Sequence, residues 1–341
     1  MLTLLKQLCA LSGVSSREDA VREYIRGIAL PYADEIRTDA IGNLIIFKKG
    51  NKPTGNYLLL SAHMDEVGLM IRRVEKSGVL SFDTVGGIDR RVLLGKRVYV
   101  GDNRICGVIG NKPIHLTSGA ERKKVPALDQ MYIDIGAADQ AEAQSIIEPG
   151  DVAVFDSECV EFGNGLLKAK AIDDRVGCAV LLTLLQEKLP MDCTFVFSCQ
   201  EEVGTRGASG YAFSVHPEVA LVVEGTTAAD IPGTPDSQRI CALGEGPVIP
   251  FMDGGTIYDR GLFELLRTVA EQENILWQTK QRIAGGTDAR TIQRSRGGVR
   301  VAGLAAAVRY IHSPSSVASI ADCEDLVRLA RGFIAAIAEE M

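Results

Sequence analysis

Along the 341-residue chain the spacing of apolar positions changes twice. At the start it is helical: MLTLLKQLCA carries apolar residues at helix intervals, and Val21, Tyr24, Ile25 and Ile28 mark one face of a second helix. Ser15, followed three residues later by Glu18, reads as a capping box for that second helix. Leu44–Phe47 and Tyr57–Leu60 are short apolar runs bounded by glycine and charge, the pattern of buried strands. From about Leu69 to Phe162 the runs become short and β-like (LMIRRV, KRVYVG, RICGVIG, MYIDIGA, DVAVF), with glycine-rich turns and one helical stretch near Glu142–Ile147. After Lys168 helix and strand alternate again. A helix opening at Asp173 runs through Leu185, CTFVFSC is a buried strand, Arg206–Val215 is helical and VALVV is a strand. Phe263–Gln272 is an amphipathic helix, Val299–Val308 a strand, and Ser319 caps a long last helix.

This pattern predicts an α/β fold, a doubly wound sheet with helices on both faces, interrupted by a small inserted β domain. The boundaries fall at 1–68 and 163–341 for the α/β part and 69–162 for the insert. The formal charge of -7, from 37 Lys+Arg against 44 Asp+Glu, disfavours a nucleic-acid partner, which needs a basic face. Apolar stretches such as Val176–Leu185 are too short for a membrane span, and the N-terminal run lacks the basic start of a signal peptide. Cys9, Cys106, Cys159, Cys178, Cys193, Cys199, Cys241 and Cys323 show no metal-finger spacing, so reduced thiols and a cytoplasmic location are expected.

Acids and histidines recur where apolar strands stop: His63 and Asp65 in AHMDEVG, Asp173 and Asp174 in KAIDDRVG, Glu201 and Glu202 in FSCQEEVGTRG, Glu224 ending VALVVEGT, and His312 in RYIHSPSS. A parallel sheet would bring these ends to one edge, where so many carboxylates repel one another unless cations compensate them. Two divalent cations would do so, and imidazole with carboxylate but no thiolate suits Zn²⁺, Co²⁺ or Mn²⁺ better than Ca²⁺ or Mg²⁺. Taken singly each residue has an ordinary alternative: Asp173 as a helix N-cap, Glu201–Glu202 as a solvated turn, His63 as a surface or hydrogen-bonded histidine. His115 and His216 have no such company and are expected to play no part in the site.

The motifs HMDEVG, KAIDDRVG, QEEVGTRGA, GGTDA and RYIHSP, in this order over essentially the whole chain, resemble those of the M42 family of metallo-aminopeptidases. The resemblance implies a zinc-peptidase-like catalytic domain and a β-barrel-like insert serving oligomerisation and access control. It implies two metals, Zn²⁺ or Co²⁺ first and Mn²⁺ next, with Asp173 bridging them, His63 and Glu224 completing one site, and Glu202 and His312 the other. Glu201 would be the general base, Asp65 would hold the His63 ring, and Thr287 and Asp288 would face the substrate. The expected reaction is release of N-terminal residues from peptides, and the expected partners are peptides and further copies of the chain, up to a tetrahedral dodecamer. Three departures stand out: Glu224 where many members carry Asp, Arg290 and Gln293 after GGTDA, and no acid shortly after RYIHSP. The rival readings are an M20-like di- or tripeptidase or amide deacylase, whose insert would be helix-on-sheet, a metal-free glycosidase, which leaves both histidines idle, and an inactive scaffold.

Overall fold

The computed structural model describes residues 1–341. Helices α1 (Leu2–Ala10) and α2 (Asp19–Ala29) precede strands β1 (Glu35–Thr38), β2 (Leu44–Lys48) and β3 (Leu58–His63). Six strands then form a closed antiparallel barrel: β4 (Gly68–Val74), β5 (Leu80–Val85), β6 (Arg97–Val100), β7 (Ile105–Asn111), β8 (Met131–Asp134) and β9 (Val152–Phe155), with the short helix α3 (Gln140–Gln144) before β9. Next come β10 (Val160–Phe162), β11 (Leu166–Ala169), α4 (Ile172–Leu185), β12 (Cys193–Ser198), α5 (Arg206–Val215) and β13 (Val219–Thr227). The chain ends with α6 (Arg260–Gln272), α7 (Ala289–Ile292), β14 (Arg300–Arg309), β15 (Ser316–Ser319) and α8 (Ile320–Glu340).

Nine strands make one mixed sheet in the order β1-β2-β12-β3-β13-β14-β15-β11-β10. Its centre, β12-β3-β13-β14, is parallel, and its flanks are antiparallel. The two-residue period of a strand sends Leu58, Leu60 and Ala62 into the large core under α1, α2, α4, α6 and α8. Leu59 goes to the opposite face with Ala208 and Tyr211 of α5 and Ala289 and Ile292 of α7. Helices therefore cover both faces. From β3 the chain moves to β12 on one side and then returns to β13 on the other, which makes β3 the point where strand order reverses and a crevice opens at the carboxyl ends.

The predicted barrel runs correspond to β4, β6, β7, β8 and β9. The sequence reading passed over β5, whose alternation of buried Leu80 and Phe82 is short and interrupted by charge. Leu69, Ile71, Phe82, Val98, Ile133 and Phe155 fill a separate barrel core. Val160–Phe162, expected at the end of the insert, instead pairs with β11 in the large sheet, so the last barrel strand ends at Phe155. The helix expected near Glu142 starts two residues earlier, because the Asp139 carboxylate accepts the Glu142 N–H as its cap. Ser319 caps α8 as expected, accepting from Asp322 N. No helix is long and apolar enough to cross a membrane, and all eight cysteines are free thiols.

Candidate active site and metal centre

Strand register brings the first two site residues together. Ser61 of β3 lies opposite Val222 of β13, so two residues on, His63 and Glu224 emerge side by side on the α5/α7 face of the sheet. His63 Nε2 is 3.4 Å from Glu224 Oε2 and 3.3 Å from Asp173 Oδ1. The other oxygen of the same carboxyl, Asp173 Oδ2, is 3.4 Å from His312 Nε2, which is itself 3.2 Å from Glu202 Oε2. One carboxylate thus stands between two histidine–carboxylate pairs. His63 and Asp173 also fall with Glu202 in one compact group of candidate ligand atoms, and His63 and Glu224 with Asp174 in another. Asp174 is already committed elsewhere: its two oxygens accept from His63 N at 3.0 Å and Gly177 N at 2.9 Å.

Asp173 is not a helix N-cap. The backbone leaves helical geometry at Asp173 (φ -79°, ψ 111°) and Asp174, and it is the Asp174 carboxylate, not that of Asp173, that accepts from a helix N–H, that of Gly177. Gly177 lets the helix come close to the sheet, since a Cβ there would sit 2.6 Å from Val223 O. The Asp173 carboxylate is therefore presented at the carboxyl edge rather than used within the helix.

Each histidine is oriented through its other ring nitrogen. Nδ1 of His63 lies 3.1 Å from the Asp65 carbonyl and 3.4 Å from Asp65 Oδ1. Nδ1 of His312 donates to the carbonyl of Gly87, 2.8 Å away, in the barrel loop after β5. Each Nε2 is thereby turned towards Asp173, where the neutral ring could offer it to a cation. Asp65, fully buried, also accepts from Ser15 Oγ at 2.6 Å, Glu201 N at 3.0 Å and Glu202 N at 3.1 Å. It fixes the acidic loop after β12 as well as the His63 ring. The expected capping box is corrected here: Ser15 donates its hydroxyl to Asp65, and Glu18 accepts from Ser16 N and Gln200 N, so both residues buttress the site instead of closing a reciprocal cap. An S-x-x-E spacing cannot distinguish these uses.

The charge balance is poor without cations. Burial, and then the charge of Asp173, pushes the Glu202 carboxyl up to about 8. Burial likewise takes Glu224 up to about 7, with His63 pulling the other way. Burial opposes protonation of His63, but the Glu224 charge and the adjoining Asp173 and Asp65 carboxylates outweigh it and hold its pKa well above the usual imidazole range. Asp173 Oδ1 and Glu224 Oε1 are buried with no hydrogen-bond partner. Orphaned carboxylate oxygens beside imidazole nitrogens are what a Zn²⁺-type donor set provides, so these residues fit the expected metals.

A cavity of about 350 Å³ opens on this cluster and is lined by His63, Asp173, Glu201, Glu202, Glu224 and His312, together with Thr287. Glu201 faces it without an ion-pair partner, and burial raises its carboxyl well above the normal range. Asp288, expected to face substrate beside Thr287, is buried away from the cavity, where Oδ2 accepts from Ser198 Oγ at 2.6 Å and Tyr211 Oη at 3.3 Å. His115 and His216 are exposed and do not line this cavity.

A buried ion cluster supports the loops on the α1 side. Lys170 Nζ lies 2.6 and 2.8 Å from the two Glu66 oxygens and donates to Leu11 O, while Arg175 donates to Leu8 O and stands 3.4 Å from Glu66. Glu66 and Lys170 belong to the segments HMDEVG and KAIDD, yet spacing alone did not single them out. Lys170→Met removes one partner from a buried charge and should lower unfolding free energy by about 3–5 kcal/mol. Urea denaturation would measure this, and a loss below about 1 kcal/mol would show that Glu66 finds compensation elsewhere.

Fold and cluster together define a hydrolase of the aminopeptidase class. The family model for M42 glutamyl aminopeptidase matches residues 42–329. An aminopeptidase structure from the archaeon Desulfurococcus kamchatkensis superposes with a TM-score of 0.92 at 37% identity, covering 97% of this chain and 93% of that one. A dodecameric structure described as PhTET1-12s gives a TM-score of 0.86 at 33% identity over 98% of both chains. The lysyl aminopeptidase of Pyrococcus furiosus is 28% identical over 97% of this chain and 96% of its own. The chain belongs to the M42 family of aminopeptidases.

Proposed function

We propose that the chain removes N-terminal residues from peptides with two divalent cations held by five side chains. Asp173 is shared, His63 and Glu224 complete one position, and Glu202 and His312 the other. The observation that carries this reading is that the two oxygens of Asp173 face two different histidine Nε2 atoms, at 3.3 and 3.4 Å. When bound, such a metal pair lowers the pKa of water towards ~7 and polarises a carbonyl. Glu201 lines the cavity without being one of the five, and so is placed to accept the proton of the attacking water and pass it to the leaving amine. Asp65 keeps Glu201 in place through the backbone bond at 3.0 Å, and its carbonyl, 3.1 Å from Nδ1 of His63, turns Nε2 towards the metal position. Thr287 faces the same cavity and would contact substrate. The donor set favours Zn²⁺ or Co²⁺, with Mn²⁺ next.

By analogy with the dodecameric relative, the working form is a homo-oligomer, a tetrahedral dodecamer being the leading candidate. We assign the barrel to assembly and access control; exposed Ile114 and Leu116 on its long β7–β8 loop support this. The eight free thiols support a cytoplasmic location. An M20-like di- or tripeptidase reading is disfavoured by the barrel insert.

Mass spectrometry of peptide digests tests the reaction. A peptide with a free amino terminus should shorten one residue at a time from that end, and its N-acetylated twin should survive. Internal cleavage, or equal attack on the acetylated peptide, would rule out the exopeptidase reading.

A further inference from the structure

Three consecutive backbone N–H groups just after β12 all meet buried carboxylates. Gln200 N donates to Glu18 Oε1 at 3.1 Å, Glu201 N to Asp65 Oδ1 at 3.0 Å and Glu202 N to Asp65 Oδ2 at 3.1 Å. The chain presents them this way by turning left-handed at Gln200 (φ 56°), a conformation that glycine adopts freely and a residue with a Cβ only at a cost. The oxygen that receives Gln200 also receives Ser16 N at 2.8 Å, and Ser16 is left-handed as well (φ 75°). One oxygen of Glu18 therefore joins two strained residues that lie far apart in the chain. Strain of this kind persists only where the surroundings fix it, and it gathers at functional sites. Glu18 is 3% exposed and does not line the cavity. Beyond the turn, Glu201 O accepts from Gly204 N at 2.9 Å and Thr205 N at 2.8 Å, so the segment that carries the two acids is closed at its far end. Its near end rests on Glu18 and Asp65.

We propose that Glu18 is a positioning residue for hydrolysis: its side-chain oxygen holds Gln200 left-handed, and that turn places the Glu201 carboxyl in the cavity. This rests on the reading of Glu201 as general base. Asp65 holds the same loop through the next two N–H groups, which leaves Glu18 as the side chain that fixes the strained residue itself. Burial, and then the charge of Asp65, pushes the Glu18 carboxyl up to about 7. An amide of the same shape therefore keeps the acceptor oxygen and removes a charge that the site disfavours.

The full chain, loaded with Zn²⁺ or Co²⁺, would be assayed for kcat and KM on a free-amino peptide, with metal content and Tm measured in parallel. Glu18→Gln should stay within about threefold of the unaltered protein in kcat. Glu18→Ala should lower kcat roughly ten- to a hundredfold with KM and both metals retained, the range for a reacting group displaced by about 1 Å. Gln200→Gly removes the cost of the left-handed turn. Added to Glu18→Ala, it should bring kcat back to within about threefold of Gln200→Gly alone. A role in stability alone would lower Tm but leave kcat of the folded protein, and its dependence on residue 200, unmoved. Should Glu18→Ala not fold, Glu18→Asp, one methylene too short to reach both N–H groups, carries the same predictions. A kcat about tenfold lower in Glu18→Gln, an unchanged kcat in folded Glu18→Ala or Glu18→Asp, or an equal loss with glycine and glutamine at 200 would overturn the proposal. Loss of metal along with kcat would overturn it by making Glu18 a support of the ligands instead. Glu201→Gln, measured alongside, separates this from the reading beneath it, because full activity there removes Glu201 as the base whatever the Glu18 variants do.

Discussion

Glu201→Gln is expected to lower kcat by about 10²–10⁴, the usual contribution of a positioned base, while leaving the metal content at that of the unaltered protein. The amide matches the carboxylate in shape, and the backbone bond from residue 201 to Asp65 does not depend on the side chain. Glu201 has no histidine or cation within ion-pair distance, whereas Glu202, one residue later, lies 3.2 Å from His312. Both carboxylates line the cavity, and the histidine partner of Glu202 alone is the ground for proposing separate roles for the pair. Single-turnover kinetics with parallel elemental analysis would measure both quantities. Loss of metal with the activity would exchange the roles assigned to Glu201 and Glu202, and a kcat within threefold of the unaltered protein would remove Glu201 as the base.

Asp173→Ala is the second large effect. Because its two oxygens face separate histidines, its removal should empty both positions, unlike Glu224→Ala, which touches only the His63 side. Activity should fall by about a thousandfold, equivalent to several kcal/mol of lost metal assistance at ~1.4 kcal/mol per tenfold. Stability should respond in a second way. A cation bound only by the folded state stabilises it by about 2.7 kcal/mol at a hundred times its Kd, so zinc should raise the Tm of the unaltered protein and not that of the variant. Retention of both metals by Asp173→Ala would show that the carboxylate is not shared.

What the sequence could reveal depended on how local each signal was. Strand and helix periods placed most of the sheet because β3, β12 and β13 carry uninterrupted apolar runs, and β5 was missed because its run is short and charged. The end of the insert was misplaced by a few residues, since pairing of Val160–Phe162 with β11 is a tertiary choice that composition does not encode. His63, Asp173, Glu202, Glu224 and His312 were legible as acids and imidazoles at strand ends, and the sheet topology brings them together. Their supports were not: Ser15 and Glu18 look like a helix cap until Asp65 and Gln200 are seen beside them. Gly87, which orients His312 from the barrel, carries no side-chain signal. Asp288 sits in a motif beside Thr287 yet turns into the protein, a direction set by Ser198 and Tyr211 from distant segments.

The most direct test is metal removal and return, followed on a free-amino peptide substrate. Protein dialysed against a chelator should lose N-terminal hydrolysis, and addition of Zn²⁺ or Co²⁺ should restore it as binding approaches two equivalents per subunit. Hydrolysis that persists in metal-free protein, or that is complete at one equivalent, would contradict a pair of cations sharing Asp173.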